Sequence, residues 1–339
     1  MDDSIGTSPN SSRGVYEAPL LQEPMIRALR PTDVFPYVAF CHQVARGSGD
    51  KTSLWAESMS AVGGFLGRSL ALEPGRESWV QIEHGQISGL VTAKRREGAD
   101  VWDIDQLVYV PTADAPRTCA HLLKHLLAAA TDDGVQKVFL RLGSVNPALE
   151  WARQVGFVQY ALETVYHLPE VPSPAHPPRV AGLRPRRPVD HQALFQLYCT
   201  AVPVRVRQAE GMTLHEWRWT DGWWLEPMSA RLLSRGGRAD YVVESAPRLQ
   251  GWLQVDRHRR RLTILVDSAA GPDLEPLVRY GLTRLGAGRH AYCAVREYQT
   301  ALGLALEEIS FSPIGSDALL ARVLATRIPE VKLVPVRAS

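Results

Sequence analysis

Two stretches of this chain begin alike, and that repetition limits the fold more than any other feature of the sequence. Ile26-Arg27-Ala28-Leu29-Arg30-Pro31-Thr32-Asp33 follows a polar N-terminal stretch. Val180-Ala181-Gly182-Leu183-Arg184-Pro185, with a second proline and Asp190 behind it, follows a proline-rich segment. Each reads as a short strand ending at proline, then a helix capped by Asp or Thr. Further on, ISGLVTAKR (87–95) and LQGWLQVDR (249–257) match again, each an alternating strand with a central glycine. Like segments at like offsets imply two copies of one domain, and 339 residues hold two of ordinary size. The expected divisions are a flexible tail over 1–24, domains over 25–168 and 183–328, and a second tail over 329–339. Between the domains, 169–182 reads as a stiff linker, because its prolines favour extended chain.

Composition narrows the setting. Apolar residues make up 45% of the chain, enough to bury a sizeable core, and a formal charge of +2 gives no basis for binding nucleic acid or an anionic membrane. No apolar run is long enough to span a bilayer. The start, MDDSIGTSPNSSRG, lacks the basic and apolar stretches of a secretory signal. Cys41, Cys119, Cys199 and Cys293 lie far apart with no C-x-x-C pair, which fits a reducing cytoplasm better than a disulfide framework or structural zinc. The expectation is a cytoplasmic, metal-free protein with no nucleic-acid or membrane partner.

The first copy has a readable order. A strand at 26–30 precedes a helix near 32–45 and a helical stretch near 52–70. SWVQIEH (78–84) and QISGLVTAKR (86–95) form a hairpin across Gly85, and VWDIDQLVYV (101–110) is a third strand. A helix follows over 116–131, with Pro116 suited to its first turn. VQKVFLRLG (135–143) is a strand, NPALEWARQVGF (146–157) a short helix stopped at Gly156, and VQYALETVYHL (158–168) a closing strand. This is an α+β (α/β) pattern, each copy a mixed, mostly antiparallel sheet flanked by helices.

Three segments of this order, IRALRPTD, VYVPTADAPRTCAHLL (108–123) and NPALEWARQVGF, together resemble the GNAT superfamily of acyl-CoA-dependent N-acyltransferases. The second lies without gaps on the family's V-x-P-x-x-[RQ]-x-x-G-x-[GA]-x-x-L-L, and the third resembles N-x-x-A…LY-x-x-x-GF, one residue short. The resemblance covers 25–168 well and 180–328 faintly, and implies a tandem GNAT architecture. It also implies acetyl-CoA as acyl donor, a small-molecule or peptide amine as acceptor, and a monomer or homodimer.

In such a fold the acyl-CoA lies where two parallel strands part, its pyrophosphate on the turn at a helix N-terminus, where orphan amides and the dipole favour an anion. The resemblance thus implies that Val108, Tyr109 and Val110 present backbone to the pantetheine. Asp114, Arg117, Thr118, Cys119 and Ala120 would surround the pyrophosphate, and Asn146 would fix the short helix near the thiol. Three residues depart from the pattern: Asp114 replaces Arg/Gln, Arg117 the first glycine and Cys119 the last Gly/Ala. Arg117 could pair with a phosphate, fill the anion site itself or pair with Asp114. A capped helix without ligand and a modified acyl-CoA turn both fit. The short-helix tyrosine that relatives use as general acid falls at Ala152.

A general base must accept a proton from the amine. Asp103 and Asp105 alternate on one face of 101–110, and Glu83 ends the preceding strand, so Asp105, Asp103 and Glu83 are the candidates; an exposed acidic sheet face is the other reading. The second copy is more eroded. TILVDSAAGPDLEPLVRYGLTRL (263–285) keeps Gly271 but no Arg/Gln-x-x-Gly pattern, and YQTALGLALEEISF (298–311) has no Gly-Phe. If one copy holds acyl-CoA, the first is the better candidate. HEWRWTDGWWLEP (215–227) carries four tryptophans, suited to an acceptor pocket or to packing between copies. His121 and His125 read as a polar helix face, and DRHRRR (256–261) as a solvated hairpin turn.

Overall fold

The computed structural model describes residues 24–47, 75–96, 100–173, 178–211, 237–245, 248–267, 269 and 271–324. The expected helical stretch 52–70, the tryptophan-rich segment 215–227 and most of both tails lie outside these residues.

The first half runs β1 (Met25–Ala28), α1 (Val34–Gly47), β2 (Arg76–Glu83), β3 (Gln86–Arg95), β4 (Val101–Tyr109), α2 (Ala115–Asp132), β5 (Lys137–Gly143), α3 (Ala148–Gln154) and β6 (Val158–Leu168). The second repeats the plan: β7 (Leu183–Pro185), α4 (His191–Ala201), α5 (Val204–Glu210), β8 (Arg238–Ser245), β9 (Arg248–Asp256), β10 (Arg261–Val266), α6 (Leu274–Leu285), β11 (Ala291–Arg296), α7 (Thr300–Glu308) and β12 (Ser312–Val323).

The two similar openings fold by the same stereochemistry. Arg27 grips Asp33 through two hydrogen bonds of 2.7 Å, and Asp33 also accepts from the Arg30 amide at 2.8 Å. Arg184 grips Asp190 at 2.7 and 2.8 Å, and Asp190 accepts from the Arg187 amide at 2.6 Å. The structural repeat is therefore R-x-x-R-P-x-D, at Arg27 to Asp33 and at Arg184 to Asp190. A bidentate pair ties each opening strand to its first helical turn.

All strands join one 12-stranded sheet, ordered β1-β2-β3-β4-β5-β12-β6-β11-β10-β9-β8-β7. Only β4–β5 and β10–β11 pair in parallel; every other described pairing is antiparallel. The closing strands cross between halves: β12, last in the second half, lies between β5 and β6 of the first, and β6 pairs with β11. Each half thus covers a strand edge that the other would expose.

Side-chain parity assigns the two faces. Ala318 and Leu320 of β12 pack with α2 and α3, whereas Leu319 packs with α4 on the opposite side. One face therefore carries α2, α3, α6 and α7, and the other α1, α4 and α5. The glycines shared by β3 and β9 admit close neighbours. A Cβ at Gly89 would lie 2.6 Å from Thr118 Cγ2 of α2, and one at Gly251 would lie 3.2 Å from Pro272 just before α6.

Two details differ from the sequence reading. The basic run 256–261 does form a hairpin turn, but Arg260 is buried rather than solvated. It donates to the carbonyls of Leu285, Gly286, Arg289 and His290, closing the C-terminal end of α6, where a cation is favoured. The second copy lacks Gly-Phe, yet Ser310-Phe311 takes its place. Ser310 adopts φ of 73° where Gly156 adopts 92°, and both phenylalanines are buried. His125 packs edge-on against Trp79 at 5.8 Å. Among the described residues no helix is long and apolar enough to cross a membrane.

Candidate active site

The parallel strands β4 and β5 pair only from Val101–Lys137 to Ile104–Leu140, then part. At the point of parting β4 carries a bulge: Thr92 faces Gln106 and Ala93 faces Ile104, so Asp105 is the extra residue. The bulge shifts the side-chain alternation. Trp102 and Ile104 face α2, and beyond the bulge so do Leu107 and Tyr109, while Val108 and Val110 turn to α1. The Val110 amide is held by Ser88 O at 3.0 Å. Tyr109 donates to Asn146 Oδ1 at 3.1 Å and meets Trp151 edge-on at 5.4 Å. Burial pushes its phenol up to about 12, so it stays protonated. Asn146 Oδ1 also accepts from the Ala148 amide at 2.9 Å and thereby fixes the start of α3.

The turn into α2 commits some of its amides. Ala115 N–H reaches Thr112 O at 3.1 Å, Thr118 N–H reaches Asp114 O at 2.9 Å, and Pro116 has none. Among the described residues no acceptor pairs with the Arg117 amide, and the exposed Arg117 side chain forms no ion pair with Asp114 or any other described group. Thr118 and Cys119 turn inward, and burial raises the Cys119 thiol to about 12. Their side chains belong to the core, so any contact with an anion would come from the helix backbone and Arg117. Ala120 is half-buried behind them. His121 is held below its usual range by burial, with the Arg117 and Lys124 charges adding to this and Glu83 opposing it.

The three candidate bases are not brought together. Asp103 and Asp105 share the α1 face, and each meets an arginine. Arg96 holds Asp103 at 2.7 and 3.2 Å, and Arg76 lies 2.7 Å from Asp105. Neither carboxylate can take a proton from a substrate without disturbing an ion pair. Glu83 lies on the opposite face, beside α2, where it accepts from Gln81 at 2.6 Å; the same Gln81 amide reaches Thr118 Oγ1 at 3.2 Å. Among the described residues no group of His, Cys, Asp and Glu is arranged to hold a metal.

No family model and no curated protein matches the sequence. Solved structures do. A GCN5-related N-acetyltransferase from Sphaerobacter thermophilus is 14% identical, with 88% of this chain and 95% of that one covered at a TM-score of 0.56. This chain has the fold of a GCN5-related N-acetyltransferase. A tandem GNAT protein from the clavulanic acid biosynthesis pathway also aligns, at 16% identity over 89% of this chain and 98% of that one, with a TM-score of 0.45.

The second copy of the acetyltransferase fold treats the equivalent place differently. β10 pairs with β11 at two positions, Arg261–Tyr292 and Leu262–Cys293, before parting. It pairs with β9 in unbroken register, with no bulge. The Gln299 side chain spans the gap, donating to Ile264 O at 2.9 Å and accepting from the Arg296 amide at 3.0 Å. In the first half, the described β4–β5 pairing ends at Ile104–Leu140, and Tyr109 beyond it reaches Asn146. The short-helix position where the resemblance implies a tyrosine is the buried Ala152, matched in the second half by Leu306.

Sequence reasoning missed an ionic row beneath α4 and α5. Gly143, Asp317, Glu163 and Arg296 lie side by side across β5, β12, β6 and β11. Arg296 donates to Glu163 at 2.9 Å, and Arg141 lies 2.8 Å from the same carboxylate. Burial alone would raise the Glu163 carboxyl, but Arg141, Arg296 and Arg261 together hold it below its ordinary value. Glu210 reaches Arg296 at 3.4 Å and accepts from Tyr198 at 2.7 Å; burial raises it despite Arg296. The signal was present as charged residues on strands with otherwise apolar neighbours, but their partners come from the other half.

Proposed function

We propose that the first half binds an acyl-CoA, acetyl-CoA in the simplest case, and transfers the acyl group to an amine. The observation that carries this reading is the contrast at the parting strands: β4 bulges at Asp105 where its pairing with β5 ends, whereas β10 keeps an unbroken register with β9 and Gln299 bridges the gap of the second copy. β4 residues 107–110 would lie along the pantetheine. The exposed Arg117 and the α2 N-terminus would neutralise the pyrophosphate, because guanidinium recognises phosphate through paired hydrogen bonds. Asn146 would hold α3 beside the thiol. The amine would attack the thioester carbonyl directly, and CoA would leave as thiolate. The acceptor would approach from the α1 face, where the charged side chains cluster. The second half serves in this reading as a supporting copy.

A catalytically inactive binding protein is the competing reading, favoured by the ion pairs on Asp103 and Asp105 and by Ala152 in place of tyrosine. Calorimetric titration with acetyl-CoA, followed by release of free thiol in the presence of amines, separates the two. The reading expects one site per chain, lost in Arg117→Glu, and thiol release that depends on amine. No binding at millimolar acetyl-CoA would overturn it, and binding without thiol release would leave the inactive reading standing.

A further inference from the structure

The sheet face from which the proposed acceptor would approach the first half holds a carboxylate that its own sequence does not supply. Asp317 sits on β12, the strand contributed by the second half, opposite Gly143 on β5 and Glu163 on β6. Gly143 lies past Leu140, in the stretch of β5 that has already parted from β4. The Ser144 amide donates to Ser316 O at 2.7 Å, so β12 follows the chain toward Asn146 and the start of α3. Parity puts Asp317 on the face of Arg141 and Glu163, the same face as Asp103 and Asp105. We propose that Asp317 accepts the proton of the acceptor ammonium in the cleft of the first half, so that the site is completed by a strand from the second.

Comparison with the other carboxylates on this face supports the choice. Asp103 and Asp105 are held by arginines at 2.7 Å, and Glu163 is fully buried among three. Glu210 is buried under Tyr198 and Arg296. Asp317 has its nearest cation, Arg141, at 3.8 Å, and its side chain keeps 16% of its exposure. Burial raises its carboxyl above the ordinary range and Glu163 adds to this, while Arg141 on β5 and Arg261 on β10 oppose it. A carboxylate whose pKa is raised is a better proton acceptor. The step balances: the ammonium proton passes to the Asp317 carboxylate, the neutral amine forms the C–N bond, the C–S bond breaks to release the thiolate, and the second proton on nitrogen passes to that thiolate, leaving a neutral amide and free thiol. Asp317 then returns its proton to water.

The inference rests on the acyl-CoA reading, and its test separates the two. Thiol release from acetyl-CoA is followed across pH with glycinamide, spermidine and an aminoglycoside as acceptors, for the wild type, Asp317→Asn and Asp317→Glu. Calorimetry with acetyl-CoA and thermal melting report fold and donor site. The expected Asp317→Asn protein melts and binds acetyl-CoA as the wild type does. It releases thiol about 100-fold more slowly and loses the acid limb of the pH profile, while Asp317→Glu keeps that limb. An Asp317→Asn protein with wild-type rate and limb overturns the inference and leaves the acyl-CoA reading intact. A wild type that binds acetyl-CoA but releases thiol with none of the amines overturns both the inference and the catalytic reading. A wild type that binds no acetyl-CoA overturns the donor site itself.

Discussion

The two halves of the molecule agree where the frame is held and differ where a ligand would enter. Arg27–Asp33 and Arg184–Asp190 are near copies, as are the close glycine contacts at Gly89 and Gly251. At the parting strands the halves diverge: a bulge at Asp105 in one, an unbroken register bridged by Gln299 in the other. A duplicated fold can thus keep the contacts that align its sheet while its two copies differ where the parallel strands part.

The largest expected effect breaks the halves apart. A chain ending at residue 311 lacks β12, which buries Ala318, Leu319, Leu320 and Ala321 and pairs on both edges. Two leucines alone represent about 3–6 kcal/mol of burial, comparable with the whole stability of a domain. Such a chain is expected to be insoluble or to lack a cooperative thermal transition, and a separately expressed second half should restore it. Cooperative melting of the truncated chain at the wild-type temperature would contradict the strand exchange.

Next in size is the ionic row that joins the halves. Glu163→Ala leaves the buried Arg296 and the half-buried Arg141 and Arg261 without their shared carboxylate, and a loss of about 3–5 kcal/mol is expected in urea unfolding. A loss below about 1 kcal/mol would show that water or another group already compensates these arginines.

Smaller effects test the matched pairs. Arginine hydrogen bonds hold the Asp33 and Asp190 carboxyls below their ordinary range. Their contribution is present above the ordinary carboxylate range and is lost as pH falls through the lowered folded values. Asp33→Asn and Asp190→Asn should each cost about 1–2 kcal/mol at neutral pH, less than a buried pair because solvent screens the partly exposed arginines. Each should also flatten the acid side of the stability curve by a similar amount. Clearly unequal losses would break the equivalence of the two openings. The smallest effect is at the helix stops. Ser310→Gly should stabilise by about 0.5 kcal/mol, because relief of the left-handed strain exceeds the added entropy of glycine. Gly156→Ser should destabilise, since φ of 92° strains any residue with a Cβ, and that Cβ would displace the Arg322 guanidinium that donates to Gly156 O.

Much of this frame was legible in sequence. Alternation gave β2, β3, β4 and β6 nearly residue for residue, and Pro116 marked the first turn of α2. The duplication was visible, but its true register, R-x-x-R-P-x-D, emerges only when Arg27 and Arg184 are seen gripping Asp33 and Asp190. The strand exchange was not legible. Hydrophobic patterning tells which face of β12 is buried, not which strand lies beside it. The same limit applies to the candidate site. Asp103 and Asp105 do share a face, but the pattern could not show that Arg96 and Arg76 would meet them across neighbouring strands. Gln299 and Asp317 looked ordinary because their roles depend on partners far along the chain.

Backbone hydrogen exchange with and without acetyl-CoA tests the central contrast most directly. The account predicts added protection across 105–118 and 143–148, where β4 and β5 part and α2 and α3 begin, with none across 263–273 or 296–300. Protection confined to the second set, or equal in both, would contradict it.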